Sequence, residues 1–243
     1  MPDTYAGAAE HFDLITKPHW SALGPALLAA LKNAGDGPVA DIGAGTGLSL
    51  PVIAEALPEH EIIAIEPSPS LRIGLFTRLA DHPELAERVT VLPSTVQEAQ
   101  LPDRLGAVLG INVLGHLSPA DRAALWTRLA ASLAPGAPAV FTLQPPDRPV
   151  RIPESPFGRA VVGRLRYTAS GSAEPSGTDQ VVWRVTYRVH DGTDVISEQT
   201  MEHSWWTVSE DLLGEELRRA GLGARHHDGL VVVQRSSRET LVR

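Results

Sequence analysis

A short apolar run, Pro38-Val39-Ala40-Asp41-Ile42, breaks directly into Gly43-Ala44-Gly45-Thr46-Gly47, and a helical pattern resumes over residues 48–57. A strand that passes through a glycine turn into a helix lets a ligand approach the backbone, because there is no Cβ at the turn to stand in its way. The unit then repeats. Residues 61–66 read as a strand, 67–80 as a helix and 89–92 as a strand; 107–114 is another apolar strand, 119–133 a helix closed near Pro135-Gly136, and 139–143 a fifth strand. Strands joined through helices pair in parallel, with helices covering both faces of the sheet.

Two helices, over residues 8–15 and 20–32, are expected ahead of the first strand. Past Pro145-Pro146 the period changes to two. Residues 180–190 and 195–206 alternate apolar and polar side chains around Asp191-Gly192-Thr193-Asp194, the pattern of an antiparallel hairpin, whereas 170–179, rich in Gly, Ser and Pro, reads as a loop. A helix over 209–220 opens on Ser209 and closes at Gly221, and 230–233 is a last strand. The fold class expected is α/β: a doubly wound, mostly parallel, Rossmann-like seven-stranded sheet whose last strand is antiparallel, with an N-terminal helical cap and an antiparallel hairpin insertion. Residues 1–243 are expected to form a single domain: a cap over 1–35, a cofactor-binding core over 36–144, a substrate-side insertion over 145–207, and a C-terminal helix and strand over 208–243.

Composition narrows the ligands. The 243 residues carry a net charge of −8, so no broad basic face is available for nucleic acid or an anionic membrane. With no cysteine, thiolate catalysis, zinc-thiolate sites and disulfides drop out together. The first ten residues lack the basic start and apolar run of a signal peptide, and no apolar stretch nears the ~20 residues needed to span a bilayer, so a soluble, cytoplasmic protein is expected.

Glu66 ends the strand after the glycine turn, roughly 20 residues on, where a carboxylate accepts from both hydroxyls of a ribose. The competing readings are a tight connector for the turn and a solvated strand-end carboxylate for Glu66; the combination makes the pair a nucleoside site. A phosphate-binding loop would need lysine after its last glycine, but Thr46-Gly47-Leu48-Ser49 has none. A nicotinamide turn would place its third glycine where Leu48 stands. An NAD(P)-dependent oxidoreductase is therefore the alternative reading, together with a nucleoside-binding protein that methylates nothing.

In its glycine turn, Glu66-Pro67-Ser68, Asn112-Val113-Leu114-Gly115-His116, and Gly221 followed by a terminal strand, the chain resembles the class I S-adenosylmethionine-dependent methyltransferases. The helical cap, the inserted hairpin and the C-terminal tail resemble the branch that acts on small molecules in natural-product pathways. The resemblance implies S-adenosylmethionine as cofactor and methyl transfer to an O or N atom of a small organic acceptor. It places Asp41 and Gly43 at the methionine amino group, Ala44 and Gly45 to Gly47 (with Thr46) along the homocysteine and ribose, and Glu66 at the ribose diol. Pro67, Ser68 and Leu71 would pack on the adenosine, Thr95 and Val96 flank the adenine, and Asn112 and Val113 sit under the sulfonium and amino-acid end. Where the family often has an Asp near the adenine amino group, this chain reads Pro93-Ser94-Thr95-Val96-Gln97-Glu98.

Methyl transfer from a sulfonium is an in-line displacement, so a base is needed only when the acceptor must lose a proton. His116 is the first choice for that base, with packing against the cofactor loop as the competing reading. Tyr5, Phe12, His19, Trp20, His116, His203 and Trp205 are the expected acceptor-side residues. Trp205 and Trp206 alternate on the hairpin, so at most one of the two faces the pocket. His226-His227-Asp228 reads as a surface turn rather than a metal site, because adjacent histidines on extended chain point apart. A small-molecule acceptor is the expected partner, with no nucleic acid and no membrane, and assembly as a homodimer is left open.

Overall fold

The computed structural model describes residues 3–236; the ends of the expected cap and C-terminal segments, residues 1–2 and 237–243, lie outside the described residues. α1 (Ala9–Leu31) leads into β1 (Val39–Ile42), α2 (Leu50–Ala56), β2 (Ile62–Ile65), α3 (Pro69–Asp81), the one-turn α4 (Pro83–Ala86) and β3 (Val89–Leu92). Then come β4 (Ala107–Gly110), α5 (Pro119–Ser132), β5 (Ala139–Phe141) and four long strands, β6 (Ile152–Val162), β7 (Leu165–Ser176), β8 (Gln180–Asp191) and β9 (Asp194–Trp206). α6 (Glu210–Arg219), β10 (Leu222–His227) and β11 (Leu230–Arg235) complete it.

Seven strands form one sheet in the order β10-β11-β5-β4-β1-β2-β3. All neighbours from β5 to β3 are parallel, and β11 runs antiparallel to both β5 and β10. This is the doubly wound sheet that the alternation dictates. Every residue of β1 and β4 is buried, because helices cover both faces and leave no side of these strands to water. On one face Trp126 meets Phe141 edge to face, centroids 5.1 Å apart, among Val108, Leu129 and Leu133. The other face packs Leu27 and Leu31 of α1 and Leu50 and Ile53 of α2 over Ile62 and Leu109.

Three local expectations are corrected. One helix, not two, precedes β1: α1 continues through Pro18 and Pro25. Both prolines lie on its exposed face, where water serves the carbonyls they leave unbonded, while Ile15, Leu23, Leu27 and Leu31 keep the opposite face buried. The hairpin over 180–190 and 195–206 is half of a four-stranded antiparallel sheet, β6-β7-β8-β9, and the expected loop over 170–179 is strand as far as Ser176. Its Gly, Ser and Ala residues have little strand propensity, but they alternate. Ala169, Gly171 and Ala173 turn inward, and a Cβ on Gly171 would stand 3.3 Å from the Phe157 ring and 3.5 Å from Trp183. Small residues here make room for large aromatic ones. Finally, β10 was not expected. It is an edge strand exposed at all but its first residue, so it shows no apolar alternation, and it joins β11 through Asp228-Gly229, both at positive φ. His226 and His227 end β10 just before that turn.

The antiparallel sheet and α1 close over the carboxyl ends of the parallel strands. Their shared core is small: Ala8 and Ile15 against Ala169, Val185, Tyr187 and Met201. On the far side α6 is fastened to α5 by a buried ion pair, Arg122 Nη2 to Glu216 Oε1 at 2.7 Å, with the Trp126 indole N–H donating to the other carboxylate oxygen.

Candidate active site

The chain reverses its order across the sheet between β4 and β1, and crevices form where neighbouring strands send their connections to opposite faces. A cavity of about 880 Å³ opens there, at the carboxyl ends of β1 to β4. Its floor is the glycine turn, held to β2 by the Gly43 and Ala44 N–H groups donating to the Ile65 carbonyl. Gly43 and Gly45 have φ of +69° and +58°, which lets the turn fold flat under the cavity.

Glu66, 3% exposed, spans the site's two halves: one carboxylate oxygen accepts from Gly45 N–H at 2.8 Å and the other from Ser68 N–H at 2.7 Å. Burial raises its pKa, and these two N–H groups pull it back. Each oxygen keeps further acceptor capacity, and Glu66 lines the cavity. Ser68 also caps α3, accepting from Leu71 N–H.

His116 ends a short 3-10 turn, Leu114–His116, after β4. Its Nε2 is 2.9 Å from the Tyr5 hydroxyl, and the Trp205 ring backs it at 4.7 Å between centroids. Gly115 makes that contact feasible, since a Cβ there would fall 1.8 Å from Trp205 Cε2. Burial, then the neighbouring His203, drives the His116 pKa down to about 4; burial drives His203 down to about 4 as well. Both rings are neutral at physiological pH. Burial raises the Tyr5 pKa, so its hydroxyl keeps its proton.

Of the residues expected at the cofactor, Gly43, Ala44, Gly45, Thr46, Glu66, Pro67, Ser68, Leu71, Thr95, Val96, Asn112 and Val113 line this one cavity. Asp41 and Gly47 do not. Asp41 is 2% exposed beneath the turn, accepts from the Ser49 hydroxyl, and burial lifts its pKa to about 7. Gly47 packs back onto Leu50 and Leu75. On the acceptor side Tyr5, Phe12, Trp20, His116 and His203 line the cavity. His19 is exposed on the outer face of α1, and Trp205 stands behind His116 rather than in the wall.

Several residues at the site carry no sequence signal. Asp3 lines the cavity and accepts from the Ser68 hydroxyl (2.8 Å) and Ser70 N–H (3.0 Å). Asp13 of α1 pairs with Arg78 of α3 at 2.7 Å and accepts from the Thr46 hydroxyl, while Arg78 also donates to the Thr46 carbonyl. Two carboxylates thus fasten the N-terminal segment to both rims of the cavity. Their partners lie 33 to 67 residues away in sequence, and no local motif announces such pairing.

Residues 40–139 match the family described as methyltransferase domain. The solved structures extend the likeness to the whole fold. CalS10, an amino pentose methyltransferase from Micromonospora echinaspora involved in calicheamicin biosynthesis, is 18% identical with a TM-score of 0.69 over 90% of this chain and 91% of its own. DesVI of Streptomyces venezuelae is 16% identical, TM-score 0.70, over 90% and 91% of the two chains. The sugar N-methyltransferase KedS8 of Streptoalloteichus is 18% identical, TM-score 0.64, over 90% and 87%. No curated protein sequence matches the chain. The glycine turn, Glu66 and His116 all fall inside the matched segment, and the antiparallel sheet that brings His203 to the cavity falls outside it. Among the described residues, no helix is long and apolar enough to cross a membrane.

Proposed function

We propose that the chain transfers a methyl group from S-adenosylmethionine to an O or N atom of a small organic acceptor, leaving S-adenosylhomocysteine. The observation that carries this reading is the position of Glu66: a buried carboxylate facing the cavity, clamped to the glycine turn of a methyltransferase domain. The residues present fit the nucleoside. The turn is free of Cβ atoms at Gly43 and Gly45, and Glu66 has acceptor capacity left for a ribose diol.

When bound, S-adenosylmethionine supplies an electrophilic methyl on a sulfonium. Glu66 holds the ribose, Pro67, Ser68 and Leu71 pack on the adenosine, and Thr95 and Val96 flank the adenine. Gly43 to Thr46 lie along the homocysteine, with Asn112 and Val113 at its amino-acid end; Asp41 and Gly47 shape the turn from behind. Phe12, Trp20 and His203 wall the acceptor side and exclude water. Tyr5 passes the acceptor's proton to His116: its hydroxyl gives a proton to Nε2 as it takes one from the acceptor. The names of CalS10 and KedS8, an amino pentose and a sugar N-methyltransferase, favour nitrogen and natural-product biosynthesis.

The same reading puts the enzyme in the cytoplasm, acting on a small molecule and not on nucleic acid. Assembly as a homodimer is part of the same reading; exposed Val161 and Val162 end one edge strand of the antiparallel sheet and exposed Val195 and Ile196 begin the opposite one. Calorimetry tests the donor half: S-adenosylhomocysteine binds and NAD does not, and Glu66→Ala weakens the former by about 1–3 kcal/mol through loss of charge-assisted hydrogen bonds. Binding of NAD alone would reverse the assignment. For the acceptor half, mass analysis of products must show the gain of one methyl group.

A further inference from the structure

Asn112, two residues past β4, has a left-handed backbone with φ +59°. Asparagine tolerates this conformation better than most residues, but it does not prefer it, so something must hold it there. Thr142, directly after β5, does so with two reciprocal bonds. The Asn112 N–H donates to Thr142 Oγ1 at 2.8 Å, and the Thr142 hydroxyl donates to Asn112 Oδ1 at 3.0 Å. The hydroxyl has a single proton. In the structure that proton goes to the Asn112 amide oxygen, while the hydroxyl oxygen accepts from the backbone. In this orientation the NH2 group is the part left over at the cavity wall, which Asn112 lines. Thr142 is 6% exposed and forms no part of that wall, so whatever it does for a ligand it does through Asn112.

We propose that Thr142 is a positioning residue of the donor site, holding Asn112 so that its amide NH2 meets the carboxylate of the donor's amino-acid end. The inference rests on the donor reading above and adds to it the chemistry of one subsite. An NH2 group on a half-buried wall is a neutral donor matched to a carboxylate oxygen. Without Thr142 the backbone relaxes from φ +59° to the ordinary regions, and the amide turns with it.

Two probes separate this role from a merely structural one: S-adenosylhomocysteine, which carries the amino-acid end, and 5′-methylthioadenosine, the same nucleoside thioether without it. Thr142→Val preserves the side-chain shape and removes the hydroxyl. It is expected to weaken S-adenosylhomocysteine about tenfold in calorimetry and leave 5′-methylthioadenosine unchanged, with Thr142→Ser restoring affinity. Asn112→Ala, which leaves Thr142 in place, gives the same selective loss. Equal weakening of both probes by the two variants, or S-adenosylhomocysteine affinity untouched by both, overturns the inference. If the native protein binds neither probe, the donor reading falls and takes this subsite with it.

Discussion

His116 stands between two aromatic residues that serve it differently: the Tyr5 hydroxyl engages Nε2, and Trp205 packs its flank over Gly115. A free imidazole gives up its neutrality below about pH 6.5, but burial moves that point to about 4 here. The ring is therefore available to take a proton throughout the range from pH 5 upward, and the acidic limb of kcat/KM attributable to it falls near 4. His116→Ala is expected to lower kcat about 100-fold while leaving the affinity for S-adenosylhomocysteine unchanged. An unaltered kcat at neutral pH would reduce His116 to a packing residue. A basic residue type after the fourth strand was legible from the sequence. Its neutral state and its Tyr5 partner, 111 residues away, were not, because both arise only when the N-terminal segment lies across the cavity.

At the scale of elements, helix caps and strand alternation read cleanly wherever the signal is local. Ser209, read from the sequence as the start of the last helix, caps α6; the reciprocal capping box of Ser118 and Asp121 at the start of α5 is seen only in the structure. The contact between those two helices is not local. Glu216 accepts from the Arg122 guanidinium and the Trp126 indole, with Arg122 1% exposed. Glu216→Ala strands that guanidinium, and urea denaturation should register a loss of about 3–5 kcal/mol. The double variant Arg122→Met with Glu216→Leu should lose less than Glu216→Ala alone, since no uncompensated charge remains. A double variant as unstable as the single one would show that shape, not charge, dominates the junction. The elements misjudged from sequence share one cause. β7 and β10 take their strand character from neighbours on the sheet, and α1 runs past two prolines because its buried face outweighs two missing hydrogen bonds.

For the whole molecule the buried acid Asp41 couples folding to pH. Its pKa rises from 3.8 to about 7 on folding, so between those values the folded protein holds a proton that the unfolded chain releases. The stability from this group is full below about pH 4 and is lost as pH rises through 7. His116 and His203 act in the opposite sense, because their lowered pKa values make the folded state shed protons between 6.5 and 4. Asp41→Asn removes only the first contribution. Relative to Asp41→Asn, the native protein should lose on the order of 3 kcal/mol between pH 4 and pH 8, read from denaturation at each pH. Parallel stability curves for the two proteins would place the Asp41 ionisation outside folding.

The parallel core was determined by the sequence itself. Apolar strands alternating with amphipathic helices have few ways to bury both faces, and a glycine turn followed by an acidic strand end places a nucleoside site on that core through local chain geometry. What the tertiary structure decided is everything that depends on contacts between distant segments. The four-stranded sheet brings His203 beside His116, Asp3 and Asp13 strap the N-terminal segment across the cavity, and Thr142 settles the orientation of Asn112. Each of these is a hydrogen bond or packing contact whose two partners are unrelated in sequence, and only the folded chain puts them within reach of one another.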